Sequence, residues 1–305
     1  MSLADSTFAD SLAQAVQATR SVTCVGLDPR KASLPPAITK DLVTSGAGSA
    51  DAWAAAYTQF CTEIIDVVAG KVACVKPQVA FFEQLGPAGC IALGEVIRYA
   101  RSKELLVIVD AKRNDIGSTA EAYADAYMGA ASPWGGDSLT VSPYLGEDSL
   151  EPFVKVCDER NAGIFVLVKT SNPGGGFLQD RKTGDETVYQ SVASLVRRLN
   201  ETRLGKCGYG PVGAVVGATY PDQLAELRAA MPTSWILIPG FGAQGGGADD
   251  VKAGFDDSGL GAVVNNSRNI IFAHQRPEFK DRFQDGQWQD AVCAAVDEMN
   301  QQLRF

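Results

Sequence analysis

Short runs of apolar, often β-branched residues alternate along the chain with longer segments in which apolar residues recur three and four positions apart. The short runs predict buried parallel strands, and the longer segments predict amphipathic helices that cover them. The strand-like runs lie at residues 21–27, 71–76, 104–110, 137–142, 163–169, 212–217, 234–239 and 260–266.

Eight strands that are each followed by a helix favour a closed (β/α)8 barrel, the TIM barrel of the α/β class, over an open doubly wound sheet. No GxGxxG motif follows the first run, which further disfavours a dinucleotide-binding sheet. We therefore predict one barrel domain over residues 1–305, with two long connections at 28–51 and 171–187. The second is the better candidate for a lid, because it leaves directly from the carboxyl end of a strand.

The charge balance limits the class of partner. Lys and Arg number 27 against 36 for Asp and Glu, which gives a formal net charge of 27 − 36 = −9. This excess of negative charge disfavours nucleic acid and anionic membranes as partners. An anionic small molecule would need a local basic pocket, and a few Lys and Arg residues at one end of a barrel can supply it.

The seven cysteines are odd in number and never spaced as C-x-x-C, which disfavours a disulfide framework or a metal site and favours a reduced, cytoplasmic protein. The N-terminal segment has neither the basic region nor the long apolar core of a signal peptide or membrane anchor. The only histidine, His274, lies in a polar segment, which disfavours catalytic mechanisms and metal sites that need histidine.

Polar and charged residues close several of the predicted strands, where a barrel of this class places its active site. Asp28 follows the first strand, Lys76 ends the second, and Asp110 and Lys112 end the third. Side chains two apart on a strand share a face, so Asp110 and Lys112 should meet. For the segment DAKRNDI taken by itself, an ordinary ion pair at a strand end is the alternative to a functional site. Lys76 on the adjacent strand favours function, because two lysines and two aspartates at an interior rim would be costly to desolvate for stability alone. The fifth strand ends in Lys169, Thr170 and Ser171.

A phosphate site is predicted from the loops after the seventh and eighth strands, a common position for one in these barrels. Glycines let backbone N–H groups approach an anion, and a helix N-terminus adds a favourable dipole. The candidates are Gly242 and Gln244 in the first loop, and Ser267 and Arg268 at the start of a helix after the second. The glycine run alone is a weak signal, and Arg268 strengthens it because arginine can grip a phosphate with two parallel hydrogen bonds.

The segment DAKRNDIGST at 110–119 resembles the signature of the orotidine 5'-phosphate decarboxylase family, and the resemblance extends over about residues 20–275. It is most similar to the longer bacterial branch of that family. Further matching segments, in family order, are GLDPR (26–30), VKPQVAFFEQLG (75–86), VSPYLG (141–146), KTSNPG (169–174), IPGFGAQGG (238–246) and NNSR (265–268).

The resemblance implies a lyase that converts orotidine 5'-phosphate to uridine 5'-monophosphate in de novo pyrimidine synthesis, without metal or organic cofactor. It implies that Lys112 donates the proton, that Asp110 faces the substrate carboxylate, and that Asp28 and Lys76 contact ribose hydroxyls and hold the charged array in line. It also implies a homodimer in which Asp115 reaches into the partner's site.

Further binding roles come from the same resemblance. Thr119 would assist near the ribose across the dimer, Ser171 would contact the pyrimidine, and Gln244 and Arg268 would bind the 5'-phosphate with help from backbone groups near Gly242. The sequence departs from the family pattern at position 266, where Asn replaces a smaller residue, and in the long 171–187 connection. These departures affect the lid and the phosphate contacts rather than the chemistry.

Two alternatives stay open at this point. A metal-dependent aldolase or epimerase acting on a pentulose phosphate can share an Asp-x-Lys strand, although a divalent metal would prefer a carboxylate where Lys76 stands. A non-catalytic nucleotide-binding protein could use the same fold, since fold alone does not establish activity.

Overall fold

The computed structural model describes residues 6–44, 48–242 and 246–304. Within these residues, eight parallel strands close into a barrel, and the predicted (β/α)8 architecture is confirmed. The barrel strands, together with the hairpin strands β6 and β7, are β1 (Thr23–Leu27), β2 (Cys74–Pro77), β3 (Leu106–Arg113), β4 (Ser138–Val141), β5 (Gly163–Lys169), β6 (Lys182–Thr183), β7 (Glu186–Thr187), β8 (Gly210–Val216), β9 (Ser234–Ile238) and β10 (Ala262–Asn266). Around the barrel the order is β1-β2-β3-β4-β5-β8-β9-β10, and β10 pairs with β1.

Helices cover the outside of the barrel and separate its strands along the chain, as right-handed parallel connections require. The helices in the described residues are α1 (Phe8–Thr19), α2 (Pro36–Thr44), α3 (Ala50–Val68), α4 (Val79–Glu83), α5 (Gly86–Ser102), α6 (Gly117–Met128), α7 (Glu151–Arg160), α8 (Gly176–Gln179), α9 (Val188–Asn200), α10 (Pro221–Ala230), α11 (Ala248–Lys252), α12 (Arg268–Ile271), α13 (Pro277–Lys280) and α14 (Trp288–Gln302). None of the described helices is both long and apolar enough to cross a membrane.

Burial of the strands follows from this arrangement. Every residue of β1, β8, β9 and β10 is buried, which is why these segments read as nearly continuous apolar runs rather than as alternating ones. The predicted bounds of β5 match the structure, whereas β2 begins at Cys74 because Lys71 still belongs to the turn that ends α3.

Helix α1 packs across the N-terminal end of the barrel. Its N-cap is Thr7, whose side chain accepts from the backbone N–H of Asp10. The buried ring of Phe8 meets Phe165 edge to face with ring centroids 6.1 Å apart. Gly163 permits this approach, since a Cβ there would lie 2.2 Å from the Phe8 ring. The opposite, carboxyl end of the strands is therefore the open end.

Both long connections contain short ordered elements. The connection after β1 contains a 3-10 helix at Lys31–Ser33 and then α2. The connection after β5 contains a 3-10 helix at Pro173–Gly175, then α8, and then the antiparallel β6–β7 hairpin. Thr187 and Gln190 form a capping box that starts α9. The 171–187 segment is thus a compact structure at the open end rather than a featureless loop.

Candidate active site

The carboxyl ends of the barrel strands surround a cavity of about 690 Å³. This volume lies within the usual range of small-molecule sites, roughly 300–1,000 Å³. Each of the eight barrel strands, or the residue directly after it, contributes to the wall. The contributing residues, in chain order, are Asp28, Lys76, Asp110, Lys112, Thr140, Leu167, Val215, Leu237 and Asn265.

Asp110 is the centre of a charged array in this cavity. Its Oδ2 atom lies 2.6 Å from Nζ of Lys76, and its Oδ1 atom lies 2.6 Å from Nζ of Lys112. The side chains of Lys76 and Asp110 are only 5% and 8% exposed, whereas that of Lys112 is 47% exposed. All three residues line the cavity, and Lys112 is the most exposed member of the array.

The pKa values of the buried pair follow from two opposing effects. Burial alone would raise the pKa of Asp110, but the ammonium groups of Lys76 and Lys112 hold it well below its usual range. Burial alone would lower the pKa of Lys76, but the carboxylates of Asp110 and Asp28 outweigh it and raise that pKa above its usual value. Asp110 is therefore ionised and Lys76 protonated at neutral pH.

The Asp110–Lys112 contact arises from an irregular strand and not from the regular alternation expected from the sequence. Lys112 has a φ of +48°, in the left-handed region that residues with a Cβ rarely adopt. The pairing of β3 with β4 shifts register between Val109 and Arg113. The two side chains meet as expected, but a local distortion of β3 brings them together.

Sequence reasoning missed two polar side chains that complete the surroundings of Asp110. Gln78 donates from Nε2 to Oδ2 of Asp110 at 2.9 Å, and the hydroxyl of Thr140 donates to Oδ1 at 2.9 Å. Gln78 lies one residue beyond β2, two positions after Lys76, so its place at a strand end was a usable signal. Thr140 gave none, because threonine is an ordinary strand residue.

The β1 side of the cavity carries Asp28 and Arg30. The Oδ1 atom of Asp28 is buried and has no hydrogen-bond partner within the described residues, so it can accept a bond from a ligand hydroxyl. Arg30, which sequence reasoning also missed, lies with its guanidinium 5.0 Å from the ring centroid of Phe81. A cation and an acceptor thus stand side by side at this edge.

Two close approaches place Ser171 across the barrel from β1 and Arg268 after β10, beside β1. Ser171 follows β5 and lies against Gly217, where a Cβ would come within 2.7 Å of the serine. Ser267 lies against Gly26, where a Cβ would come within 1.8 Å of its Oγ. Arg268, the first residue of α12, lines the cavity directly after this contact. The small residues on β1 and after β8 therefore fix the positions of Ser171 and Arg268.

The loop after β9 differs from the sequence expectation. Pro239, Gly240 and Phe241 line the cavity, but Gly242 is not among its lining residues. Gly242 has a φ of +69°, and its N–H donates to the carbonyl oxygen of Gly246 at 2.8 Å. That N–H is already paired, so the backbone donor predicted there is not directed at the cavity. Gln244 lies outside the described residues.

Asp115 and Thr119 do not reach the cavity of their own chain, although they follow Lys112 closely. Oδ1 of Asp115 accepts from the N–H of Ile116 at 2.8 Å, and Thr119 is exposed in the first turn of α6. Their position outside the cavity of their own chain leaves them accessible to another molecule.

Lys169 also stands apart from the cavity, although the sequence places it at the rim. The pairing of β5 with β8 shifts register between Leu167 and Lys169, and Leu167 lines the cavity while Lys169 does not. The Lys169 ammonium instead pairs with Asp180 and lies 4.6 Å from the ring centroid of Tyr220. It holds the 171–187 connection against the barrel wall.

All seven cysteines are free thiols, and Cys24, Cys61, Cys74 and Cys157 are buried. No group of three or more His, Cys, Asp or Glu side chains that could hold a metal ion occurs in the described part of the chain.

A closed (β/α)8 barrel with a charged array at its carboxyl end places the protein among the TIM-barrel enzymes. Residues 21–278 match the model of the Orotidine 5'-phosphate decarboxylase / HUMPS family. The chain belongs to this family, and the resemblance seen in the sequence is confirmed.

Relatives align over almost the whole chain. An orotidine 5'-phosphate decarboxylase of Rhodopirellula baltica is 65% identical over 302 residues, which cover 98% of this chain and 99% of that protein. The solved structure of Leishmania donovani OMP decarboxylase is 34% identical, with a TM-score of 0.72 and coverage of 96% and 98%. A solved structure from Streptomyces avermitilis is also 34% identical, with a TM-score of 0.79 and coverage of 100% and 96%.

Proposed function

We propose that this protein is a cytoplasmic lyase that decarboxylates orotidine 5'-phosphate to uridine 5'-monophosphate. The observation that carries the proposal is the Asp110 carboxylate held between two ammonium groups, each 2.6 Å away, at the open end of a barrel. The family and the near-full-length relative named as this decarboxylase support it. The seven free cysteines support a reducing compartment.

Loss of CO2 from C6 of the pyrimidine breaks the C6–carboxylate bond and leaves its electron pair on C6. The ring cannot easily delocalise that pair, so a cation must already lie beside the carbon. Lys112, the exposed cation of the array, stabilises the negative charge and then transfers a proton to C6. Asp110 lies near the departing carboxylate and, with Lys76, keeps the Lys112 ammonium in place.

The magnitude of one charge contact limits what the array can do alone. Two unit charges about 4 Å apart interact by about 4 kcal/mol at an effective dielectric near 20. Enzymes commonly lower barriers by about 8–23 kcal/mol. Contacts to the remote phosphoribosyl group must supply much of the difference by fixing the pyrimidine against the array.

Arg268 is the residue proposed to bind the 5'-phosphate, together with Gln244. Arg268 directly follows the Gly26–Ser267 contact and lines the cavity, which supports this role. Arg268→Ala should lower kcat/KM for orotidine 5'-phosphate by roughly 100-fold, because charged hydrogen bonds contribute about 1.5–3 kcal/mol each. The bare nucleoside orotidine is the control. An equal loss with both substrates contradicts a phosphate role.

One assay separates this function from its rivals. Purified protein is mixed with orotidine 5'-phosphate and a chelator, and the loss of substrate absorbance is followed beside the Lys112→Ala variant. Turnover in the wild type that persists in chelator and is lost in the variant supports the decarboxylase. Binding of uridine 5'-monophosphate without CO2 release identifies a non-catalytic nucleotide-binding protein. Chelator-sensitive turnover of a pentulose phosphate identifies a metal-dependent aldolase or epimerase.

The working unit is proposed to be a homodimer in which Asp115 and Thr119 complete the partner's site. A depression of about 520 Å³ lies beside the main cavity and shares Asp28, Arg30, Gln78 and Lys112 with it. The connections after the neighbouring strands β3 and β4 expose apolar side chains that a second copy would cover. These side chains are Ile116, Tyr144 and Leu145.

Mixing two inactive variants tests this arrangement. Lys112→Ala and Asp115→Ala subunits should each be inactive alone, and they are unfolded together and refolded to form hybrids. If Asp115 acts across the dimer, one site of each hybrid holds both wild-type residues, and random re-pairing restores roughly a quarter of wild-type activity. No restoration, with hybrids verified by native mass spectrometry, means that Asp115 acts within its own chain.

A further inference from the structure

The backbone of Lys112 is held in an unfavourable conformation at the point where the proposed chemistry occurs. Its φ of +48° is unusual for a residue with a side chain, and the β3–β4 ladder is irregular there. Such a conformation persists only where surrounding contacts impose it. The contact that imposes it should therefore control where the Lys112 ammonium lies.

Thr140 on β4 makes that contact. Its hydroxyl accepts from the backbone N–H of Lys112 at 2.9 Å and donates to Oδ1 of Asp110 at 2.9 Å. Thr140 is 1% exposed, so water does not compete for these bonds. Because a hydroxyl has a single proton, donation to Asp110 leaves only lone pairs for Lys112, and the direction of both bonds is fixed.

The bonds form a closed cycle. Oδ1 of Asp110 also accepts from Nζ of Lys112 at 2.6 Å, so the cycle runs from the Lys112 N–H through Thr140 and Asp110 back to the Lys112 ammonium. The other carboxylate oxygen, Oδ2, is held by Lys76 and Gln78. One hydroxyl thus couples the strained backbone of Lys112 to the rotation of the carboxylate that pairs with its side chain.

We propose that Thr140 is a positioning residue that sets the Lys112 ammonium for protonation of the pyrimidine. This inference rests on the proposed decarboxylase function. Thr140 acts through Asp110 and Lys112 and does not itself react. Its β-branched side chain has few favoured rotamers, which keeps the hydroxyl between its two partners.

Thr140→Val keeps the shape of the side chain and removes the hydroxyl. We expect kcat for orotidine 5'-phosphate to fall by about 100-fold, the usual scale for an ångström of misplacement, with KM changed less than about threefold. Binding of uridine 5'-monophosphate, measured by calorimetry, should stay within about threefold, because the phosphate contacts are untouched. Thr140→Ser restores the hydroxyl and should recover kcat to within about fivefold of wild type.

Ser138 provides a matched control on the same strand. Its hydroxyl is buried, and no hydrogen-bond partner for it occurs in the described residues. Ser138→Ala should leave kcat unchanged. Any one of three results would overturn the inference. They are equal losses of kcat in Ser138→Ala and Thr140→Val, an unchanged kcat in Thr140→Val, and no recovery of kcat in Thr140→Ser.

The two proposals fail in different ways. If wild-type protein releases no CO2 from orotidine 5'-phosphate, the proposed function fails. If the wild type turns over and Thr140→Val does so equally, only the positioning role fails. If Thr140→Val does not fold, as judged by circular dichroism, Thr140→Ala replaces it, and the same loss with recovery in Thr140→Ser is required.

Discussion

Two buried lysines at the open end of the barrel show how differently one residue type can be used. The side chains of Lys76 and Lys169 are 5% and 1% exposed, and each pairs with an aspartate. The partner of Lys76 is buried and shared with Lys112, beside the cavity. The partner of Lys169 is Asp180, which is 51% exposed and lies in the 171–187 connection. A buried lysine at a strand end is therefore informative only once the surroundings of its carboxylate are known.

The largest expected difference between the two regions is in turnover. Lys112→Ala should lower kcat by about 10⁴-fold or more, because it removes both the charge proposed to lie beside C6 and the proposed proton donor. Binding of uridine 5'-monophosphate should persist. Lys169→Met, which removes the ammonium outside the cavity, should keep kcat within about tenfold. Activity of Lys112→Ala within tenfold of wild type contradicts the assignment.

Matched substitutions of the two aspartates compare the regions directly. Asp110→Asn leaves the Lys76 ammonium buried without its carboxylate and should cost about 3–5 kcal/mol of unfolding free energy together with most of the activity. Asp180→Asn removes a half-exposed carboxylate, and the ring centroids of Tyr189 and Tyr220 still lie 5.4 Å and 4.6 Å from the ammonium. We therefore expect a loss of roughly 1–2 kcal/mol of unfolding free energy and activity within tenfold. Urea unfolding and initial rates measure both. Equal losses in the two variants would show that burial of the lysine alone decides the effect.

The pH dependence of stability should also distinguish Asp110. Because its pKa is lowered in the folded protein, its contribution is present above the unfolded pKa near about 3.9 and is lost as pH falls through the lower folded value. The free energy of unfolding of the wild type should therefore exceed that of Asp110→Asn at pH 7, and the gap should narrow below about pH 4. A gap that stays constant down to pH 2 would contradict the lowered pKa.

The smallest expected effect concerns the ring of Tyr220, which lies against the Lys169 ammonium. Tyr220→Leu removes the ring whose centroid lies 4.6 Å from the ammonium and should cost about 1 kcal/mol. Tyr220→Phe keeps the ring face and should unfold like the wild type. Thermal unfolding detects the difference, and activity should be unchanged in both variants. A phenylalanine variant as unstable as the leucine variant would assign the effect to the hydroxyl instead.

The sequence was sufficient for the barrel because its strands are buried on both faces. The apolar run at 163–169 coincides with β5, and the eight runs in order yield the observed architecture. The polar residues at the predicted strand ends also identified much of the site. Five of them line the cavity: Asp28, Lys76, Asp110, Lys112 and Arg268.

The sequence was insufficient where a side chain's direction depends on register. The shift between Leu167 and Lys169 takes Lys169 out of the cavity, and the shift after Val109 produces the left-handed Lys112. Periodicity assumes regular strands and cannot reveal either. Thr140 was missed because its hydrogen-bond partners lie on another strand. The pairing of the Gly242 N–H was missed because it depends on a turn in which that group donates to the carbonyl oxygen of Gly246.

Helix α1, which covers the N-terminal end of the barrel, determines the side from which the cavity is reached. With Phe8 packed on Phe165 below the cavity, the N-terminal end of the barrel is covered, and the cavity opens at the carboxyl end of the strands. Substrate and products would therefore enter and leave at the carboxyl end of the strands. Several residues between 170 and 179 in the connection after β5 line this opening, so a change in their position would alter access to the cavity.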